Sequence, residues 1–250
     1  MNMNDNEMSV FDHIGELRKR LIYVVVFFLI VFVASLFFAE HLILYLQNAR
    51  EAKELTMNAF RITDPIKIYM QFAFIIALVI TSPFLLYQLW AFISPGLYEK
   101  ERKVTLSYIP VSVILFLIGI SFSYFILFPF VVKFMGGLAE RLAINQVIGI
   151  NEYFQFLLQL TLPFGFLFQL PVVIMFLTRL GIITPMFLSK SRKYAYFILL
   201  VVAGLITPPE LISHMMVSVP LFGLYEVSII VSKRAYRKVL KAEMEANNIG

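Results

Sequence analysis

Cysteine is absent from the 250 residues, which excludes disulfides, thiolate metal sites and thiol nucleophiles. Charge is scarce: 15% of residues are Asp, Glu, Lys or Arg, and they gather between apolar runs. Histidine occurs at His13, His41 and His214 alone, with no metal-ligand spacing, so no zinc pattern forms. There is no Gly-rich phosphate loop with its Lys, which argues against ATP hydrolysis. The serines show neither a nucleophile elbow nor a fixed base, which argues against an intramembrane hydrolase. No cofactor is expected, and the chain does not read as an enzyme. Internal repeats and low-complexity linkers are also missing, so residues 1–250 read as one polytopic domain. The net charge of +5 comes with no basic stripe interleaved with aromatics, so nucleic acid is not expected as a partner.

What the chain has in abundance is apolar surface. Hydrophobic residues make up 60% of it and aromatics 16%, with a mean hydropathy of +0.83. A water-soluble domain of this length could not hide that much, so lipid is the natural solvent. The expected class is an all-α membrane protein with six spans, at about 22–39, 66–93, 105–128, 152–180, 194–206 and 212–231. An acidic, polar start from Asn2 to Glu7, with no small-residue cleavage pattern after the first run, marks that run as a retained span.

Before it, residues 9–21 open with a capping-box pattern, Ser9 to Asp12, and repeat Val10, Ile14, Leu17 and Leu21 at helical spacing. They predict a short amphipathic helix lying at the interface and leading directly into the first span. Leu42, Leu46 and Ala49 predict a short helix near the membrane, and Thr63-Asp64-Pro65 a turn that starts the second span. Spans two and four exceed a hydrocarbon core of roughly 30 Å, and Pro83, Pro163 and Pro171 are their expected kinks. Span three should close at Pro129, leaving 129–151 as a loop. Spans five and six are short. The tail, 232–250, is basic and then acidic, and is expected to fray.

Orientation follows from the basic residues. Arg18, Lys19 and Arg20, then Lys100, Arg102 and Lys103, then Arg179, Lys190, Arg192 and Lys193, and finally Lys233, Arg234, Arg237, Lys238 and Lys241 fall on one side. Arg50, Lys53, Arg61, Lys67, Lys133 and Arg141 fall on the other. The positive-inside rule puts both termini in the cytoplasm. The stretch Tyr87–Lys103 then ends span two at a cytoplasmic boundary, where Trp90 suits the headgroup level and Ser94-Pro95-Gly96 stops the helix. Glu99 and Glu101 stand beside it among Lys100, Arg102 and Lys103.

Four stretches carry a family signature: His13-Ile-Gly-Glu-Leu-Arg-Lys-Arg-Leu21, Tyr87–Lys103, Phe122-Ser-Tyr-Phe-Ile-Leu-Phe-Pro129 and Leu205-Ile-Thr-Pro-Pro-Glu210. Together they resemble TatC, the polytopic subunit of the twin-arginine protein translocase, and most closely its Gram-positive versions. The resemblance implies a protein of the bacterial cytoplasmic membrane that binds the Arg-Arg signal peptides of folded precursors. It also implies recruitment of a single-span TatA/TatB-type partner, self-association in a larger complex, and transport driven by the proton-motive force. Position by position, it makes Glu101 and Glu16 the carboxylates for the paired arginines, with Phe92, Leu17 and Arg18 shaping the patch. Thr207 and His214 fall where the family keeps polar groups for the single-span partner, and Gln169 stands where many relatives have Glu.

The chemistry suits those roles. A carboxylate accepts a guanidinium fork through two parallel charge-assisted bonds, and two carboxylates accommodate two arginines. The blander alternative is that both acids balance neighbouring Lys and Arg in a solvated loop. Gln155, Gln159 and Gln169 share one face of span four, fit either to meet a partner helix or to glue the bundle itself. Glu226, the acid inside a predicted span, reads as half of a structural pair with a cytoplasmic basic residue. A proton-coupled small-molecule transporter is the rival reading, suggested by proline-broken helices.

Overall fold

The computed structural model describes residues 10–49, 57–94, 106, 108–207 and 211–247. They are helical apart from one short ladder, and five helical runs are long and apolar enough to cross a membrane. The chain divides into two compact units, residues 1–54 with 59–110, and residues 55–58 with 111–250.

The first unit is a helical hairpin. Helix α1 runs from Val10 to Gln47 and packs against α2, Asp64–Ile93. The short interfacial helix expected to lead into the first span and the short helix expected through Leu42 and Leu46 are therefore not elements of their own: residues 10–47 form the one helix α1, about 57 Å long at 1.5 Å per residue. The amphipathic start, the apolar middle and the polar end differ in solvent and not in backbone preference, and no Pro or Gly after Gly15 interrupts them. Asn48 closes α1 by donating its side-chain amide to Leu44 O at 2.8 Å. Buried Asp64 starts α2 as expected, its Oδ2 accepting from Phe60 N at 3.1 Å and Arg61 N at 2.9 Å. The helices run antiparallel, since Arg20 meets Gln88 and Tyr69 donates to Leu36 O. Pro83 sits inside an uninterrupted α2. It has no N–H for Val79 O, and Ser82 Oγ supplies that carbonyl with a donor at 2.8 Å.

In the second unit, α3 (Tyr108–Phe122) continues through a π-helical turn, Ser123–Leu127, into α4 (Phe128–Arg141). The loop expected over 129–151 is thus mostly helix. The wide turn bonds Phe128 N to Ser123 O, which carries the ladder past Pro129 in the first turn of α4. Strand β1 (Met57–Asn58) pairs in parallel with β2 (Ile148–Gly149), a two-residue ladder the periodicity did not signal.

Span four is two helices, α5 (Ile150–Leu167) and α6 (Leu170–Arg179). The break falls just ahead of Pro171, where the missing N–H and the clash with the preceding turn are felt, whereas Pro163 is carried inside α5. Helices α3 and α5 approach closely through glycines. A Cβ on Gly119 would lie 2.6 Å from Phe164 O, and one on Gly165 would lie 2.8 Å from the Phe116 ring.

A short helix α7, Pro185–Lys190, is capped by Thr184 Oγ1, which accepts from Phe187 N at 3.2 Å. Helix α8 (Arg192–Ile206) and helix α9 (Leu211–Asn247) follow. Helix α9 packs on α6, α7 and α8, and it stays helical to Asn247, through residues 232–247 of the tail that was expected to fray.

Candidate functional site

The N-terminal candidates lie in the first unit. Glu16 is half-buried on α1, and Leu17 and Arg18 beside it are exposed. Arg20, one turn on, donates from Nη2 at 2.5 Å and from Nε at 3.0 Å, both to Glu16 Oε1. Its Nη1 reaches buried Gln88 Oε1 on α2 at 3.3 Å. Glu16 Oε2 has no hydrogen-bond partner among the described residues. Phe92, half-buried, lies one turn beyond Gln88 as Glu16 lies one turn before Arg20, so the antiparallel register carries both to the same end of the hairpin. Tyr87 and Trp90 rings sit 5.8 Å apart at that end of α2. Glu99 and Glu101 lie outside the described residues.

Gln169 occupies the break between α5 and α6. Its Oε1 accepts from Ser112 Oγ, and its Nε2 donates to Ser112 O at 3.0 Å and Gly165 O at 3.5 Å. The amide ties the break to α3, where α5's own ladder is interrupted. Gln155 and Gln159, predicted on the same face, are exposed instead. Gln169 is half-buried and spends its amide on Ser112 and Gly165.

Thr207 and His214 end α8 and begin α9. Thr207 is buried and donates to Ala203 O at 2.9 Å. His214 is half-buried over Gly204, where an added Cβ would lie 3.2 Å from its Cε1. Glycine leaves room for the ring. At the other end of the same two helices, Arg192 grips Glu226 as a fork, Nε to Oε1 at 2.7 Å and Nη2 to Oε2 at 3.0 Å. Tyr196 adds a third bond to Oε1 at 2.6 Å. The expected structural pair for Glu226 is present, with its partner 34 positions away in sequence. A proton-coupling role for this acid would first have to break three bonds.

Arg20, Gln88, Ser112, Arg192 and Tyr196 were not singled out by sequence reasoning as partners. The four-residue spacing of Glu16 and Arg20 on one helix was a usable signal. The contacts made by Gln88, Ser112 and Arg192 depend on helix pairing and left none. No His/Asp/Glu group able to hold a metal occurs among the described residues.

Comparison with known proteins bears on what this arrangement belongs to. Residues 12–220 match the family described as Sec-independent protein translocase protein (TatC). TatCy of Bacillus subtilis is 68% identical over 240 residues, covering 96% of this chain and 94% of that protein. TatC of Halalkalibacterium halodurans is 64% identical over 241 residues, covering 96% and 95%. A crystal structure of the twin-arginine translocase receptor TatC superposes with a TM-score of 0.77 at 33% identity, covering 89% of this chain and 99% of that one. The matched span contains the Glu16 node, the Gln169 break and the Thr207–His214 end alike, and this chain belongs to the TatC family of Sec-independent protein translocase proteins.

Proposed function

We propose that the chain is the signal-recognising receptor and scaffold of twin-arginine protein export, working as one polytopic domain of the bacterial cytoplasmic membrane. Six spans cross the bilayer, α8 being a short fifth, and both termini are cytoplasmic. Glu101 and Glu16 accept the two guanidinium groups of the signal peptide, with Phe92, Leu17 and Arg18 forming the rim. Thr207 and His214 receive a single-span TatA/TatB-type partner. Gln169 supports that face by holding the α5–α6 break, or offers its amide to the partner when Ser112 releases it. Copies of the chain assemble with the partner in a larger complex, and the proton-motive force drives transport.

The observation that supports this reading best is the geometry at Glu16. The carboxylate already holds a guanidinium through one oxygen, and its second oxygen has no hydrogen-bond partner among the described residues. A second arginine can use Oε2, or can replace Arg20 outright. At the edge of a bilayer such a pair exceeds the roughly 0–1 kcal/mol of an exposed salt bridge, because the local dielectric lies below that of water. Binding of a twin-arginine peptide to the solubilised protein tests the reading. Glu101→Ala abolishes binding and Glu101→Asp weakens it less. Wild-type affinity in Glu101→Ala would remove the central residue from the mechanism.

A further inference from the structure

The α8–α9 hairpin holds a pattern that goes beyond its two end residues. Arg192 bonds Glu226, the Tyr196 and Phe222 rings sit 4.7 Å apart, and Gly204 lies under His214. On α8 these residues are spaced by four and then eight positions; on α9 their partners have the same spacing in reverse. All three contacts therefore belong to one antiparallel register along a single i, i+4 ridge. Sliding α9 by one turn would break all of them together.

Helix α8 has little else to fix its height. Its 15 residues span about 22 Å, short of a hydrocarbon core of roughly 30 Å, so hydrophobic matching does not set its depth. Among the described residues its first turn carries no acid to balance the helix N-terminus, and Arg192 stands in that turn. The carboxylate that compensates comes from α9. Tyr225 adds a bond to Leu188 O at 3.0 Å, joining α9 to α7 at the same end.

We propose that Arg192 and Glu226, with Tyr196, form the register lock of this hairpin. They are positioning residues: they set how His214 seats over Gly204 about 18 Å away, twelve residues along each helix. Through that seating they set the Thr207–His214 face offered to a single-span membrane partner, a step that rests on the function proposed above.

The chain has no cysteine, so an introduced pair reports register cleanly. In the full-length protein in native membranes, Leu200→Cys with Ser218→Cys marks the observed register, and Leu200→Cys with Phe222→Cys marks a one-turn slip. Glu226→Gln and Arg192→Glu each lower the first disulfide relative to the second by about fivefold or more, the scale of a modest coupling energy. The reversed pair Arg192→Glu with Glu226→Arg restores it. Photo-crosslinking from position 207 to the single-span partner falls and recovers in parallel.

An unchanged disulfide ratio in both single variants overturns the lock. So does a ratio that falls in them and fails to recover in the reversed pair, which would mean general unfolding and not register. If the wild-type hairpin gives the expected disulfides but no partner adduct forms from 207, the partner reading fails, and the lock stands or falls on the disulfide ratio alone.

Discussion

Two Glu–Arg pairs in this chain look alike in a list and differ in kind. Among the described residues Glu16 takes both of its bonds from Arg20 on one oxygen, within one helix, and the arginine is shared with Gln88. Glu226 spends both oxygens on a fork from another helix and accepts a tyrosine hydroxyl as well. Burial does not explain the contrast: the side chains of Glu16 and Arg20 are each 24% accessible, against 38% for Glu226 and 42% for Arg192. Saturation does. A carboxylate with a spare oxygen and a neighbour that can be displaced can receive a new guanidinium; one already satisfied three times serves the fold.

That contrast can be broken from either side. The largest effect is expected at the receptor end: Glu16→Ala combined with Glu101→Ala leaves no measurable twin-arginine peptide binding, while the Glu226→Gln protein that remains folded still binds. Next comes packing, where a methyl at Gly119 must displace the Phe164 carbonyl. Gly119→Ala should cost about 1–3 kcal/mol, read as a lowered thermal midpoint in detergent with peptide affinity per folded molecule unchanged. Ser112→Ala should cost about 0.6–2 kcal/mol by the same assay, because it removes a hydroxyl donor from the Gln169 node. The smallest and most discriminating change is Arg20→Gln. It frees Glu16 at a stability cost of about 0–1 kcal/mol and should raise peptide affinity, most clearly at low salt. A loss of affinity would mean that Arg20 orients Glu16 instead of competing for it.

Much of this was legible in the residues, because hydropathy reports solvent directly. The second helix, Asp64–Ile93, and the short helix after Ser191 lie within two residues of where the apolar runs put them. Errors came where solvent and backbone part company. Helix α1 is one unbroken helix from its amphipathic start through its apolar middle to its polar end, and α9 continues as helix past its apolar stretch to Asn247. Prolines misled in one direction only: Pro83, Pro163 and Pro129 are carried within helix, by Ser82, by α5 and by the π turn, while the span-four break stands just ahead of Pro171, as expected. The site was legible as residue types in motifs. Its state was not, since whether a Glu has a spare oxygen or a Gln faces inward depends on partners such as Gln88, Arg192 and Ser112 that only helix packing brings near.

The most direct test compares three peptides on the solubilised protein, one with Arg-Arg, one with Lys-Lys and one with Gln-Gln at the same positions. If paired carboxylates receive paired guanidinium forks, affinity falls in that order, Glu16→Ala and Glu101→Asp each narrow the difference between the first two, and Glu101→Ala removes binding. Equal affinity for the arginine and lysine peptides, or a preference that survives undiminished in both Glu16→Ala and Glu101→Asp, would contradict the account.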